Sequence, residues 1–180
     1  MKKYLLFLFA AFVVGLASCS KDDDVDPNEE ELITTLKVSL LASGSTTPQV
    51  FTFKDIDGPA GNPPATFDSI IIDANKSYTA TLQFLNESVS PAEDITVEIA
   101  AEADDHQVYF AAAGMNIAAS NLNLDSKGLP LGITSTWQTG GAGKGTMTIT
   151  LKHKPGAKAA GDPVSKGETD VEVVFGVRLK

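Results

Sequence analysis

The chain has 180 residues, 43% of them hydrophobic, with 23 acidic against 14 basic side chains and a formal charge of −9. A chain of this length can bury one sizeable core, and its acidic balance repels phosphate, which argues against a nucleic-acid partner. The single cysteine, Cys19, excludes an intramolecular disulfide, so packing and hydrogen bonds must hold the fold.

Lys2 and Lys3 precede an apolar run of 14 residues, Tyr4 to Ala17, which ends in small residues and Cys19. At 1.5 Å of rise per residue the run falls short of the roughly 20 residues that span a bilayer. It therefore reads as a secretory signal over residues 1–18, not as a membrane anchor. "LASC" (Leu16 to Cys19) resembles the lipobox of bacterial lipoproteins, in which the cysteine is diacylated and becomes the first residue. The resemblance makes Cys19 a lipidation site bearing acyl chains such as palmitate. At about 0.8 kcal/mol per buried CH₂, two chains anchor a protein stably. "SKDDD" (Ser20 to Asp24) resembles the lipoprotein export signal of Bacteroidota-type bacteria, which implies the outer membrane with the protein facing the cell exterior. The plainer alternative is that these acids only keep a tether solvated.

Removing residues 1–18 leaves 162 residues and moves the formal charge to −11, because two lysines go with them. Ser20 to Glu31 holds seven acids, one lysine and, in Val25, one clearly apolar side chain. Such a segment cannot offset the entropy of ordering. Residues 19–31 are thus expected to be a lipidated, disordered tether, and residues 32–180 a single folded domain.

From Leu32 onward the pattern is mostly that of strands. Ile33 to Leu41 places Leu36, Val38 and Leu40 on one face, and "QVFTFK" (49–54) follows after a turn. "DIDGPAGNPP" is dense in turn formers. "SIIID" and "SYTATLQFLN" come next, the latter with Tyr78, Ala80, Leu82 and Phe84 inward. After "QVYFAAA", "GKGTMTITLKHK" turns Met147, Ile149 and Leu151 inward, and "TDVEVVFGVRLK" does the same with Val171, Val173, Phe175 and Val177. Short alternating segments separated by Gly and Pro predict a mainly β fold, an antiparallel immunoglobulin-like β-sandwich.

Ser90 to His106 breaks this rhythm. Ser90, Pro91 and Glu93 spell a capping box with proline at the first helical position, and Ile95 and Ile99 would share a buried face. A strand with Ile95, Val97 and Ile99 inward is the alternative over 91–104. The cap and the alanines favour one short helix. If that helix continued, Asp94, Glu98, Glu102 and His106 would share a face at i, i+4 spacing. Glu and His at that spacing suit Zn²⁺ or another divalent metal. Asp105 adds an oxygen nearby, and His153, inward by strand parity, is the other histidine of the chain. The bland alternatives are a solvated helix face and a strand-end histidine bonded to a backbone carbonyl.

Asp55, Asp57 and Gly58 form a D-x-D-G pattern that suits Ca²⁺, although the loop lacks a later acid and Pro59 interrupts it. An ordinary Asp-Gly turn is the alternative. No P-loop, Rossmann fingerprint, G-x-S-x-G elbow or HExxH is spelled, so the chain is not expected to be an enzyme. Residues 20–126 carry 19 acids and four lysines, whereas 127–180 carry eight basic residues and four acids. Either the two parts pair within the fold or the last third meets an acidic partner.

"TFKDIDG", "YTATLQFLNES", "PAEDITVEIAAEADDHQVYF", "LPLG", "GTMTITLKHKP" and "GETDVEVVF" together resemble a family of small Bacteroidota lipoproteins often labelled type 1 periplasmic binding fold proteins. The likeness covers nearly all of the chain after Leu32. A binding protein with two α/β lobes would need about twice this length, so the β-sandwich remains the expected fold. The resemblance implies an outer-membrane lipoprotein of the kind often encoded beside a TonB-dependent transporter, with His106, His153 and the acids of "EADD" among its motif residues. Pro59 and Ala60 depart from the family's more acidic D-x-D-G-D-G spelling.

These readings converge on a ligand-capture module: a lipid-anchored protein that binds a nutrient and cooperates with a TonB-dependent receptor. The version the residues suggest is a transition metal ion held by His106, His153, Glu102 and Asp105. The alternative is a non-catalytic structural module that docks a membrane protein partner and holds no small ligand.

Overall fold

The computed structural model describes residues 32–58 and 60–180. The expected signal, Cys19 and the tether lie outside the described residues, as does Pro59.

The alternating segments form strands. β1 (Thr35–Ala42), β2 (Gln49–Lys54), β3 (Thr66–Phe67), β5 (Ser77–Leu85), β7 (Ile117–Ser120) and β8 (Thr134–Thr139) make one sheet, ordered β3-β2-β1-β5-β8-β7. β4 (Ile70–Ile72), β6 (His106–Ala113), β9 (Gly143–His153) and β10 (Glu168–Leu179) make the other, ordered β4-β10-β9-β6. All pairings are antiparallel except β4 beside β10. The fold is the expected mainly β sandwich with a single short helix among the described residues. β3, β7 and β8 join the strands anticipated from the sequence.

The core lies between the sheets because period-2 alternation turns one face of each strand inward. Leu36, Val38, Leu40, Tyr78, Leu82, Phe84 and Trp137 from the larger sheet meet Ile70, Ile72, Met147, Ile149, Leu151, Val173 and Phe175 from the smaller. Burying each such side chain fully stabilises the fold by roughly 1.5–3 kcal/mol. Edge-on aromatic pairs cross the interface, Phe110 with Trp137 at 5.7 Å and Phe67 with Phe175 at 5.9 Å between ring centroids.

The helix α1 (Ile95–Ala101) buries Ile95 and Ile99 as expected, but it does not begin at Ser90. Asp94 is its N-cap, accepting from the Thr96 amide at 3.1 Å. The displacement has a tertiary cause. Asn86 and Glu93 exchange backbone hydrogen bonds at 3.0 Å, and Asn86 Nδ2 donates to Glu93 Oε2 at 2.9 Å. That bridge holds residues 86–93 as a closed loop, so Pro91 and Glu93 cannot enter a first helical turn. Thr96 then ties α1 to β5, its Oγ1 accepting from Phe84 N at 2.8 Å. The helix stops at Ala101 with Glu102 as C-cap. The continuous Asp94–Glu98–Glu102–His106 stripe is therefore not formed, and His106 opens a strand instead. Among the described residues no helix is long and apolar enough to cross a membrane.

Candidate metal centre

His153 is the last residue of β9, and parity with Met147, Ile149 and Leu151 turns it inward. His106 is the first residue of β6, two positions before the buried Val108. The two are direct cross-strand partners, and opposite residues on one face of an antiparallel pair have Cβ atoms only about 4.5–5.5 Å apart. Their rings consequently stack, with centroids 4.6 Å apart and planes 11° from parallel. Exposure is 0% for His106 and 4% for His153.

The hydrogen-bond pattern sets the tautomer of His106. Its Nδ1 lies 3.1 Å from the Glu102 carbonyl oxygen, which only accepts, so Nδ1 carries the proton and Nε2 the lone pair. Nε2 is buried without a hydrogen-bond partner among the described residues, and so is Nδ1 of His153. Burial pushes the His106 pKa below its ordinary 6.5; the Glu102 carbonyl opposes this and the neighbouring His153 adds to it. The neutral ring, the form that binds metals, is thereby favoured.

Glu102, an exposed residue at the C-cap of α1, brings a carboxylate oxygen to the same place. One ligating atom each from Glu102, His106 and His153 lie within 4.8 Å of one another, the one such group of three or more among the described residues. Asp105 is not brought into it. Its Oδ1 accepts from Gly156 N at 2.9 Å and its carbonyl from Lys154 N at 2.7 Å, so Asp105 fastens the strap that follows β9.

A further carboxylate, outside that group of three but beside His106, has no spelling in the sequence. Counting back from Val171 and Val173 would turn Asp170 outward. The β9–β10 register instead passes from Thr169–Lys152 to Val171–Leu151, which leaves Asp170 as the extra residue of a β-bulge. Its side chain is wholly buried, with Oδ2 3.9 Å from His106 Nε2.

The surrounding loops are cross-tied by charge. Lys158 Nζ pairs with Asp125 Oδ2 at 2.7 Å, with both side chains buried, and donates to the Ala103 carbonyl at 2.7 Å. Burial alone would raise the Asp125 pKa, but the Lys158 bond and the Leu129 and Lys127 amides hold it below its usual value. The wholly buried Lys154 ammonium donates to Gln107 Oε1 at 2.8 Å and to the Tyr109 hydroxyl, with Asp162 at 3.7 Å. Lys127 reaches Asp104 at 3.3 Å. The Lys158–Asp125 and Lys127–Asp104 pairs thus join the acidic first part of the domain to the basic last third, whereas Lys154–Asp162 lies within the last third. Gly167, which leads into β10, has φ +82° and leaves no room for a side chain. A Cβ there would stand 2.4 Å from the His153 carbonyl oxygen.

The D-x-D-G loop lies elsewhere. Asp57 Oδ2 accepts from the Asn62 amide at 2.9 Å and from its Nδ2 at 2.7 Å, which lowers the Asp57 pKa and closes the loop on itself. Asp55 is buried, its amide bonded to the Thr34 carbonyl at 2.8 Å. Among the described residues no third histidine, cysteine or acid gathers with Asp55 and Asp57.

No family model, curated protein or solved structure matches this chain. The site must therefore be judged by its chemistry. Two imidazoles with a carboxylate suit Zn²⁺, whose ligands at about 2.0–2.1 Å lie about 3.4 Å apart in a tetrahedron. A spacing of up to 4.8 Å asks the groups to close in by as much as about 1.4 Å around an ion. The stacked rings must also splay, since lone pairs in near-parallel planes do not converge.

Proposed function

We propose that the chain is a lipid-anchored capture module of the outer membrane. It would bind a transition metal ion through His106 and His153 with a carboxylate, and cooperate with a TonB-dependent transporter. The observation that carries the reading is the buried cross-strand histidine pair, two of whose nitrogens make no hydrogen bond. Leaving a buried polar nitrogen unmatched costs roughly 1–3 kcal/mol, a cost that a bound ion would offset. The Glu102 carbonyl on His106 Nδ1 is the kind of outer contact that orients a metal-ligating imidazole. The anchor and the transporter come from the likeness of residues 16–24 and of the domain to Bacteroidota lipoproteins.

Titration calorimetry of the full chain in detergent with Zn²⁺ tests the capture. A sub-micromolar site is expected, about −8 kcal/mol or better, and it should be lost in the His106→Ala/His153→Ala variant. Should that variant fold poorly, the wild-type chain still gives an answer. Zn²⁺ at a hundredfold excess over Kd should raise its stability by about 2.7 kcal/mol. Weak heat spread over many carboxylates, with no stabilisation, would instead favour a module that docks a membrane protein without a ligand. The anchor has its own test. Labelled fatty acid should be incorporated by the wild type and not by Cys19→Ala; label retained in the variant would remove lipidation at Cys19 from the proposal.

A further inference from the structure

We infer that Asp170 is the internal carboxylate ligand of this metal centre, and that Glu102 is the solvent-side group that gives way when the ion enters or leaves. The inference rests on the metal-capture reading and deepens it by assigning the ligand set. Three observations support it. The bulge between Thr169 and Val171 turns Asp170 out of the outward phase of its strand and buries its side chain completely beside His106. Bulges re-aim single side chains in this way, often beside functional sites. The 3.9 Å from Asp170 Oδ2 to His106 Nε2 is only about 0.5 Å longer than the ligand spacing in a tetrahedral Zn²⁺ site. The nitrogen it approaches is the one that carries the lone pair, because the Glu102 carbonyl holds the proton on Nδ1.

Glu102 differs in every respect. It is exposed, it follows the last helical residue of α1, and ordering its long side chain around an ion costs rotamer freedom. Asp170 is instead the bulged residue of β10, with its side chain wholly buried. An ion ligated by two neutral imidazoles and a carboxylate is left with one net positive charge instead of two, which lowers the cost of keeping it in a buried place. A solvent-side position beside Glu102 is then the route by which a captured ion could be handed on.

The test compares full-chain variants in detergent by Zn²⁺ calorimetry and Co²⁺ absorption. Asp170→Asn is expected to weaken Zn²⁺ binding at least tenfold, and Glu102→Gln less than threefold. Asp170→Cys should show a sulfur-to-cobalt charge-transfer band in the near ultraviolet that the wild type lacks; Cys19, common to both, cancels in the comparison. If the wild type binds no Zn²⁺, the capture reading falls and this assignment with it. If the wild type binds, but Asp170→Asn binds within threefold of it and Asp170→Cys shows no new band, capture stands and Asp170 is a structural residue.

Discussion

Trp137→Ala is expected to destabilise the domain by about 3–5 kcal/mol, the usual cost of deleting a large aromatic from a packed core. Trp137 is wholly buried on β8, between its partners Tyr78 on β5 and Ala119 on β7. Its ring stands edge-on to Phe110 of β6, so it joins the two sheets. β8 cannot shift to fill the space, because ladders to β5 and β7 hold it on either side. Typical domains have only 5–15 kcal/mol of stability, so the variant should sit close to its unfolding threshold. Urea denaturation measures this. A loss under about 1 kcal/mol would mean that the sheets pack together by other contacts than this pair.

The second large effect is on acid stability in the absence of metal. Burial holds the folded-state pKa of His106 below the ordinary 6.5. Between those two values the unfolded chain binds the extra proton, so stability rises with pH there and is lost as pH falls from about 6.5 toward the folded value. The slope contributed by one proton is at most about 1.36 kcal/mol per pH unit. The groups facing His106 do not act in one direction. Glu102 and Asp105 favour its charged form, and His153 disfavours it; Asp170 Oδ2 also faces its Nε2 at 3.9 Å. Burial prevails over them. Carboxylates held below their usual values, such as Glu87 through its Lys54 bond, contribute stability that is lost only in a lower window, below about 4.5. Denaturation in chelator between pH 7.5 and 5 should therefore show a fall in the wild type that His106→Gln flattens. Equal slopes in the two proteins would mean that His106 does not titrate in this range.

How far these features could be read beforehand depends on how local their causes are. Period-2 alternation is a property of each segment alone, and it marked the inward faces of β1, β5 and β9, including the inward turn of His153. The same logic failed for Asp170, whose direction depends on a register shift against β9, a property of two strands together. The helix was legible from Ile95 and Ile99, but its start was not. Ser90 carries a good cap spelling, and only the Asn86–Glu93 bridge, formed as the chain folds back after β5, transfers the cap to Asp94.

The sequence by itself therefore determined the mainly β class and the buried faces of the regular strands, because each follows from composition and near-neighbour spacing. Only the tertiary structure decided that His106 belongs to a strand opposite His153, that Asp105 fastens a loop instead of joining them, and that Asp170 turns in beside them. Those outcomes come from strand register and loop closure, which depend on pairings between residues more than 15 positions apart, and no spacing within one segment encodes them.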